Sequence, residues 1–304
     1  MPSVAPTSEG AGMAASNPTL GADAGREAFQ FVQALAAELS HGAVDIPGFP
    51  SIVARVRQVL ADESASADKV ARVVGADPVL AARLLNLANS VALLGTGRPA
   101  TDLRTAVSRV GLNAVRSTTH AHAVRILSQS EALRGLEKPL EVLARQTGQV
   151  ASLCHVVASR YTRVPPDVAM LAGLLHSCGR LYLLARAGNH RGLFANASAF
   201  RAVERDWHLS VAVALLENWN VPDEIVHAIA ESEDLAREPR GAASLTDVLV
   251  LALAIAHESG QPGVLEAKLR DTRCLARFGL DARAVAEMLE ASKMELAQLE
   301  AALT

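Results

Sequence analysis

Along the chain, apolar side chains recur at intervals of three and four, and no convincing stretch alternates apolar with polar residues. The segment 140–161 shows this best, because Leu143, Val150, Leu153, Val157 and Ala158 fall on one side of a 3.6-residue repeat. Phe29, Val32, Leu35, Ala36 and Leu39 share the same spacing, as do Ile52, Val53, Val56, Val59 and Leu60. A fourth stripe runs through Val168, Leu171, Leu174, Leu175, Cys178, Leu181 and Tyr182. Such stripes are buried by packing helix on helix. The expected fold class is all-α. Composition agrees: 50% of the residues are apolar but only 3% are aromatic, and alanine, leucine and valine dominate. That mix favours helices over a large sheet.

Local punctuation divides the helices. Ser66 is placed to cap a short helix running to Val74. Asp77 and Pro78 form the clearest helix start, a capping carboxylate followed by a proline whose missing N–H costs nothing there. Thr101 or Asp102 caps a helix reaching Val110, and Gly111 ends it before another over 113–127. Pro139 opens the helix 140–161, and Pro165 and Pro166 open one long helix that Gly188 closes. Later helices are expected over 199–207, 210–218, 222–231, 245–258 and 282–303. The stretch HGAVDIPGFP, residues 41–50, is a break, and LLGTGRPA reads as an inter-helix turn. Residues 1–22 read as a disordered tail, without the basic and apolar regions of a secretory signal.

Several function classes fall away. A net charge of −3 with interspersed signs gives no phosphate-backbone footprint, so nucleic acid is not expected as a partner. The three cysteines, Cys154, Cys178 and Cys274, are far apart and fit neither structural zinc nor a disulfide framework, which points to a reducing cytoplasm. The apolar run 248–256 is short of the ~20 residues a bilayer span needs, so no membrane is expected. Neither a GxSxG nucleophile turn nor a Walker or GxGxxG phosphate loop occurs. None of the nine histidines forms HExxH, and only His176, in GLLHSCGR, is flanked like a ligand inside a long apolar helix. Cys178, on the same stripe, reads as a buried and inert thiol. The arginines Arg98, Arg104, Arg109 and Arg116 could receive an anion, but their helical phases differ and a solvated face is the simpler expectation.

Four blocks then resemble one family in its own order: DPVLAARLLNLANS (Asp77 to Ser90), TDLRTAVSRVGLNAVR (Thr101 to Arg116), AGLLHSCGRLYLL (Ala172 to Leu184) and HLSVAVALLENWNVPDEIVHAI (His208 to Ile229). Together they are similar to the HDOD domain family, the non-catalytic relatives of HD-type metal-dependent phosphohydrolases. The resemblance covers roughly residues 46–258, most of the chain beyond its tail. It implies two packed helical subdomains, the second a degenerate HD-type bundle. The corresponding division is a tail at 1–22, an N-terminal helical subdomain at 23–130, an HD-like subdomain at 131–265 and a C-terminal helical extension at 266–304.

Position by position, the resemblance argues against a metal centre. HD hydrolases use a first histidine, a His-Asp pair and a distant aspartate. The first histidine best matches Gln146, the pair is His176-Ser177, and the aspartate falls near Leu253 or Ile255. Paired histidines that many family members carry become AESED, residues 230–234, whereas His208 does match a family histidine. No catalytic residue, metal or cofactor is therefore expected. His176, His208, Asn86 and Asn89 are the candidate ligand or cleft residues. Asn86 and Asn89, in the LxLANS signature, read more simply as a helix-end cap and an inter-helix hydrogen bond. What the resemblance implies is a cytoplasmic, bacterial-type regulatory protein of signal transduction. It would act through protein partners or self-association, with MELAQLEAAL as a candidate contact that could equally cap its own core. Two alternatives stay open: a phosphohydrolase with a substituted ligand set, and a sensor holding a nucleotide in the old cleft without cleaving it.

Overall fold

The computed structural model describes residues 18–40, 51–62, 64–94, 98–128, 135–187, 190, 197–219, 221–258 and 260–303. Every regular element among them is a helix. The first part contains α1 (Pro18–Ser40), α2 (Ser51–Leu60), α3 (Ala67–Val74), α4 (Pro78–Ala88), α5 (Val91–Leu94) and α6 (Leu103–Ser128). Then come α7 (Glu137–Tyr161), α8 (Pro166–Leu175), α9 (Cys178–Ala187), α10 (Ala197–Asn218), α11 (Asp223–Ala230) and α12 (Leu245–Glu258). The chain closes with α13 (Pro262–Asp271), α14 (Arg273–Ala276), α15 (Ala282–Ala291) and α16 (Lys293–Leu303).

The starts lie where local chemistry puts them. Ser66 accepts from Lys69 N at the head of α3. Asp77 accepts from Val79 N and Leu80 N, both at 3.0 Å, with Pro78 at the first helical position of α4. Asp102 accepts from Thr105 N at 2.8 Å. Gly111, at φ 77° and ψ 165°, breaks α6 into two arms. A positive φ of this kind is open to glycine and strained for other residues.

Other boundaries differ from those expected. The tail was placed at 1–22, but α1 already begins at Pro18, where proline at a helix start sacrifices no hydrogen bond; residues 1–17 lie outside the described residues. So do 41–50, residues 95–97 of the LLGTGRPA turn, and Gly188. The single helix expected after Pro166 is two, α8 and α9, separated by a turn at His176 and Ser177. Conversely, the expected helices 199–207 and 210–218 are one, α10, because no residue between them interrupts the backbone ladder. The expected helix 282–303 parts at Ser292, whose N–H bonds back to Met288 O and whose backbone leaves helical angles.

Two apolar clusters organise the packing. One is built from α2, α3, α4 and α6, with Ala151, Met170, Leu174 and Leu299 completing it from later helices. The other gathers α7 through α15 and includes Phe31 and Leu35. Thus α1 packs on α10 and belongs with the second cluster rather than with the subdomain expected at 23–130. Covalent order did not decide this; the apolar stripe of α1 found its cover elsewhere. Helix α16 crosses back against α7, α4, α5 and α6, and Leu299 is fully buried there. Truncating a leucine so placed costs about 2–5 kcal/mol. The acidic-apolar C-terminal segment therefore covers this chain's own core. The stretch Pro166–Arg186, apolar enough to cross a membrane by length and composition, is 83% buried within the fold.

Candidate functional site

His176 sits at the C-cap of α8, where the chain turns into α9. Two close approaches hold that turn. A Cβ on Gly173 would lie 2.6 Å from Ala151 Cα, so glycine lets α8 press onto α7. A Cβ on Gly179 would overlap His208 O, so glycine lets the start of α9 press onto α10. The second approach sets His208 beside the turn. Around them lies a cavity of about 200 Å³ that also takes Arg180, Glu233, Leu253 and His257 into its wall.

The polar groups of this cleft largely satisfy one another. His208 is only 3% exposed, with Nδ1 at 2.8 Å from Glu204 O and Nε2 at 2.9 Å from Glu233 Oε1. Both partners are oxygen acceptors, so each ring nitrogen faces one. The hydrogen bond from His208, joined by its charge and by that of Arg180, holds the Glu233 carboxyl below its ordinary range against some burial. Arg180 reaches Glu233 at 3.2 Å and approaches Glu204 at 3.9 Å. His176 bonds through Nδ1 to Gly173 O at 2.6 Å. Burial lowers its pKa to about 4, assisted by Arg180, His257 and His208 and opposed by the bond to Gly173. His176 is therefore a neutral imidazole near pH 7.

These donors do not fit the metal centre of an HD hydrolase. Holding Nδ1–H on Gly173 O leaves His176 one lone pair, at Nε2, which alone would suit a ligand. Its neighbours work against a cation: both His208 nitrogens face acceptors, Glu233 is engaged by His208, and the Arg180 guanidinium stands beside it. At the aspartate position, Leu253 lines the cleft with an aliphatic side chain and Ile255 is buried in the core. Among the described residues, no group of three histidine, cysteine or acidic side chains is arranged to hold a metal ion.

The remaining expected site residues do not gather here. Ser177, 5% exposed, turns away from His176 into the interior, where its Oγ lies 2.6 Å from Thr147 Oγ1. Gln146 is exposed on α7 and joins neither group. Its neighbour Thr147 is the residue of α7 whose side chain meets Ser177. The spacing Leu143, Thr147, Val150 carried that signal, since it continues the apolar stripe. Asn86 is exposed on α4, and Asn89 ends that helix. Asn89 grips Ala100, in the segment before α6, through both side-chain atoms, at 3.0 Å and 2.7 Å. Neither lines the cleft. The arginines are not a uniform solvated face: Arg104 pairs with Asp68 at the surface, but Arg109 ties Ala88 O, Asn89 and Arg98 O together. Arg116 holds Leu60 O at 3.0 Å. Cys178 is buried and its thiol is pushed up to about 12, as befits an inert core cysteine.

Sequence reasoning missed Arg180 and Glu233 as cleft residues, although both stand in motifs it had quoted. It also missed Asp247, fully buried at the start of α12. Asp247 accepts from Ser244 N at 2.8 Å, from Arg277 at 2.8 Å and from Arg237. Ser244 Oγ accepts in return from Asp247 N, a reciprocal cap.

With this geometry in view, comparison with known proteins is informative. The HDOD domain family matches residues 46–235. An uncharacterized protein of Treponema pallidum is 24% identical over 220 residues, which cover 67% of this chain and 41% of that protein. The chain thus spans less than half of that relative's length. A crystal structure from Shewanella amazonensis, of a protein provisionally named a metal-dependent phosphohydrolase, superposes with a TM-score of 0.72. It is 23% identical, and the match covers 92% of this chain and all of that one. A crystal structure from Marinobacter aquaeolei, of a protein provisionally named for signal transduction, gives a TM-score of 0.55 at 21% identity. That match covers 94% of this chain and 66% of the other. At these identities the likeness establishes the fold.

Proposed function

The chain belongs to the HDOD domain family, and from that premise we propose that it is a non-catalytic signal-transduction protein that works through protein contacts in the cytoplasm. The observation that carries this reading is the divergence of His176 and Ser177. The imidazole faces the cleft, while the hydroxyl in the carboxylate's place is spent on Thr147. Hydrolysis by a metal-bound water needs anionic ligands to hold the cation and lower the water's pKa. Here the carboxylate that reaches the cleft, Glu233, is already bonded to His208 and paired with Arg180. Two named relatives stand on either side of the choice, one provisionally a phosphohydrolase and one provisionally a signalling protein.

The deciding experiment combines metal analysis of the purified protein with turnover assays on nucleotides, cyclic dinucleotides and phosphomonoesters. The expected result is substoichiometric metal and no turnover above the uncatalysed rate. Stoichiometric metal together with hydrolysis that disappears in His176→Ala would establish the phosphohydrolase instead. For the positive half of the proposal, affinity capture from the source cell with wild type and surface variants should retain a partner that some variants lose.

A further inference from the structure

Beneath its polar groups, the cleft at His176 is largely aliphatic. Leu209 on α10, Leu235 after α11, and Val250, Leu253 and Ala254 on α12 all line it. Leu235 is 41% exposed. Val264, 46% exposed, precedes Lys268 by four residues on α13, so the two share a helix face, and Lys268 lines the cleft. Two exposed apolar side chains are thus brought to one opening. Scattered singly they would need no explanation, but gathered about a concave site they mark a surface that another molecule covers.

Most polar groups of the cleft are already spent. Arg180 donates to Glu233, and Lys268 pairs with Glu258 at 3.4 Å. Ser232 Oγ donates to Ile229 O at 2.8 Å, both His208 nitrogens face acceptors, and His257 stands exposed at the rim. His176 differs. Its Nδ1–H is held by Gly173 O, and burial keeps the ring neutral near pH 7. Its Nε2 therefore carries a lone pair, which meets no donor among the described residues. The close approaches at Gly173 and Gly179 fix the turn that carries this acceptor, so its position is set before anything binds.

An acceptor at the back of an aliphatic pocket selects an apolar body with one donor at its tip. Volume sets the size of that body. About 200 Å³ falls below the ~300–1,000 Å³ of small-molecule sites and suits a single side chain. The phenol of tyrosine and the indole of tryptophan meet both conditions, and both residues are enriched where proteins touch. Lysine or arginine would set a second cation beside Arg180, and serine would leave the aliphatic wall uncovered. A phosphoryl group would find Arg180 and Lys268 already engaged by carboxylates.

We propose that the cleft is a docking pocket into which a partner protein inserts one tyrosine or tryptophan side chain, whose O–H or N–H donates to His176 Nε2. The ring lies against Leu253 and Leu235, and the partner's surrounding surface covers Val264. This rests on the reading of the chain as acting through protein contacts, and it specifies where the contact is made.

Capped amino acids serve as probes, titrated into the isotope-labelled full chain and followed by NMR at the His176 ring and the Leu235 and Leu253 methyls. N-acetyltyrosinamide and N-acetyltryptophanamide should move these resonances saturably, with half-saturation at ~1–10 mM. N-acetylphenylalaninamide, a ring without the donor, should bind roughly three- to tenfold more weakly than the tyrosine probe, the worth of one neutral hydrogen bond. In His176→Leu that difference should vanish while the rings still bind. Leu235→Asp, at the exposed rim, should weaken all three probes. Arg104→Gln, on the surface bridge to Asp68, should change nothing. Circular dichroism establishes which variants are folded, and Leu235→Asp carries the test if His176→Leu is not. No saturable shift by ~30 mM would overturn the pocket. Equal binding of the tyrosine and phenylalanine probes to wild type would overturn the role of His176. Adenosine binding at these resonances more tightly than every probe would overturn the choice of a side chain. Metal-dependent turnover lost in His176→Ala would overturn both the pocket and the reading beneath it, whereas probes that fail to bind overturn the pocket alone.

Discussion

Ser177 Oγ lies 2.6 Å from Thr147 Oγ1, joining α7 to the turn between α8 and α9 inside the protein. Thr147 also lies 2.7 Å from Leu143 O and donates its proton there, so the Ser177 hydroxyl donates to Thr147. A position that the family resemblance equates with a metal-binding carboxylate is thus part of a buried hydroxyl chain. Four consequences of this and neighbouring relationships can be measured.

Thr147→Val should destabilise the fold by about 1–3 kcal/mol, because it strands the Ser177 hydroxyl without its acceptor. Ser177→Ala in the same chain removes the stranded group, so the double variant should be more stable than the two single losses predict. Urea unfolding of the four proteins measures the coupling. Strict additivity would mean that the 2.6 Å pair carries no energy.

Gly179→Ala should destabilise by about 1–3 kcal/mol or more, since the added methyl collides with backbone at His208 rather than with a side chain that can rotate. The same change should alter the NMR resonances of His208 and His176, because the contact positions α10 against the turn. A variant as stable as wild type, with unshifted resonances, would refute the close approach.

Asp247→Ala should be among the most damaging single changes outside the apolar clusters. It leaves Arg237 and Arg277 without their buried partner and removes the cap of α12. Breaking one side of such an ion pair costs about 3–5 kcal/mol. Ser244→Ala, which removes only the reciprocal half of the cap, should cost about 1 kcal/mol. Thermal unfolding would rank the two.

Stability should fall as the solution is acidified from neutral pH. The folded-state pKa of His176 is lowered to about 4, whereas the unfolded chain protonates it near the ordinary 6.5. Above that value both states are neutral and the group contributes no pH dependence. Between it and about 4 the unfolded state takes up the proton and the folded state does not, so stability declines. His120, lowered to about 3, acts in the same direction over a window that extends further down. Melting temperature followed from pH 7 to pH 5 should drop, and His176→Gln should reduce the slope. A titration midpoint of His176 near 6.5 by NMR would contradict its burial.

Much of the fold was legible because its causes are local. The caps at Ser66, Asp77 and Asp102, the break at Gly111 and the apolar stripe of α7 each depend on residues within a turn or two. Asn89 was legible for the same reason, as a helix-end residue with an amide to spend. The site was less so. Gln146 was matched to a ligand position one residue away from Thr147, the residue that meets Ser177. One residue on a helix is a rotation of roughly 100°, enough to exchange an exposed side chain for a buried one. Glu233 and Arg180 stood in quoted motifs, but their ion pair joins positions 53 residues apart.

By itself, then, the sequence determined that the chain is helical, where most helices begin, and that serine follows His176 where the family resemblance implies a carboxylate. Those properties follow from backbone geometry, short-range hydrogen bonding and residue identity. Only the tertiary structure decided that α8 and α9 part at His176, so that adjacent residues 176 and 177 face a cleft and a core. It also decided that α1 joins the second cluster and that α16 closes the first. These outcomes depend on which apolar stripes cover which, a choice made by packing among helices far apart in sequence.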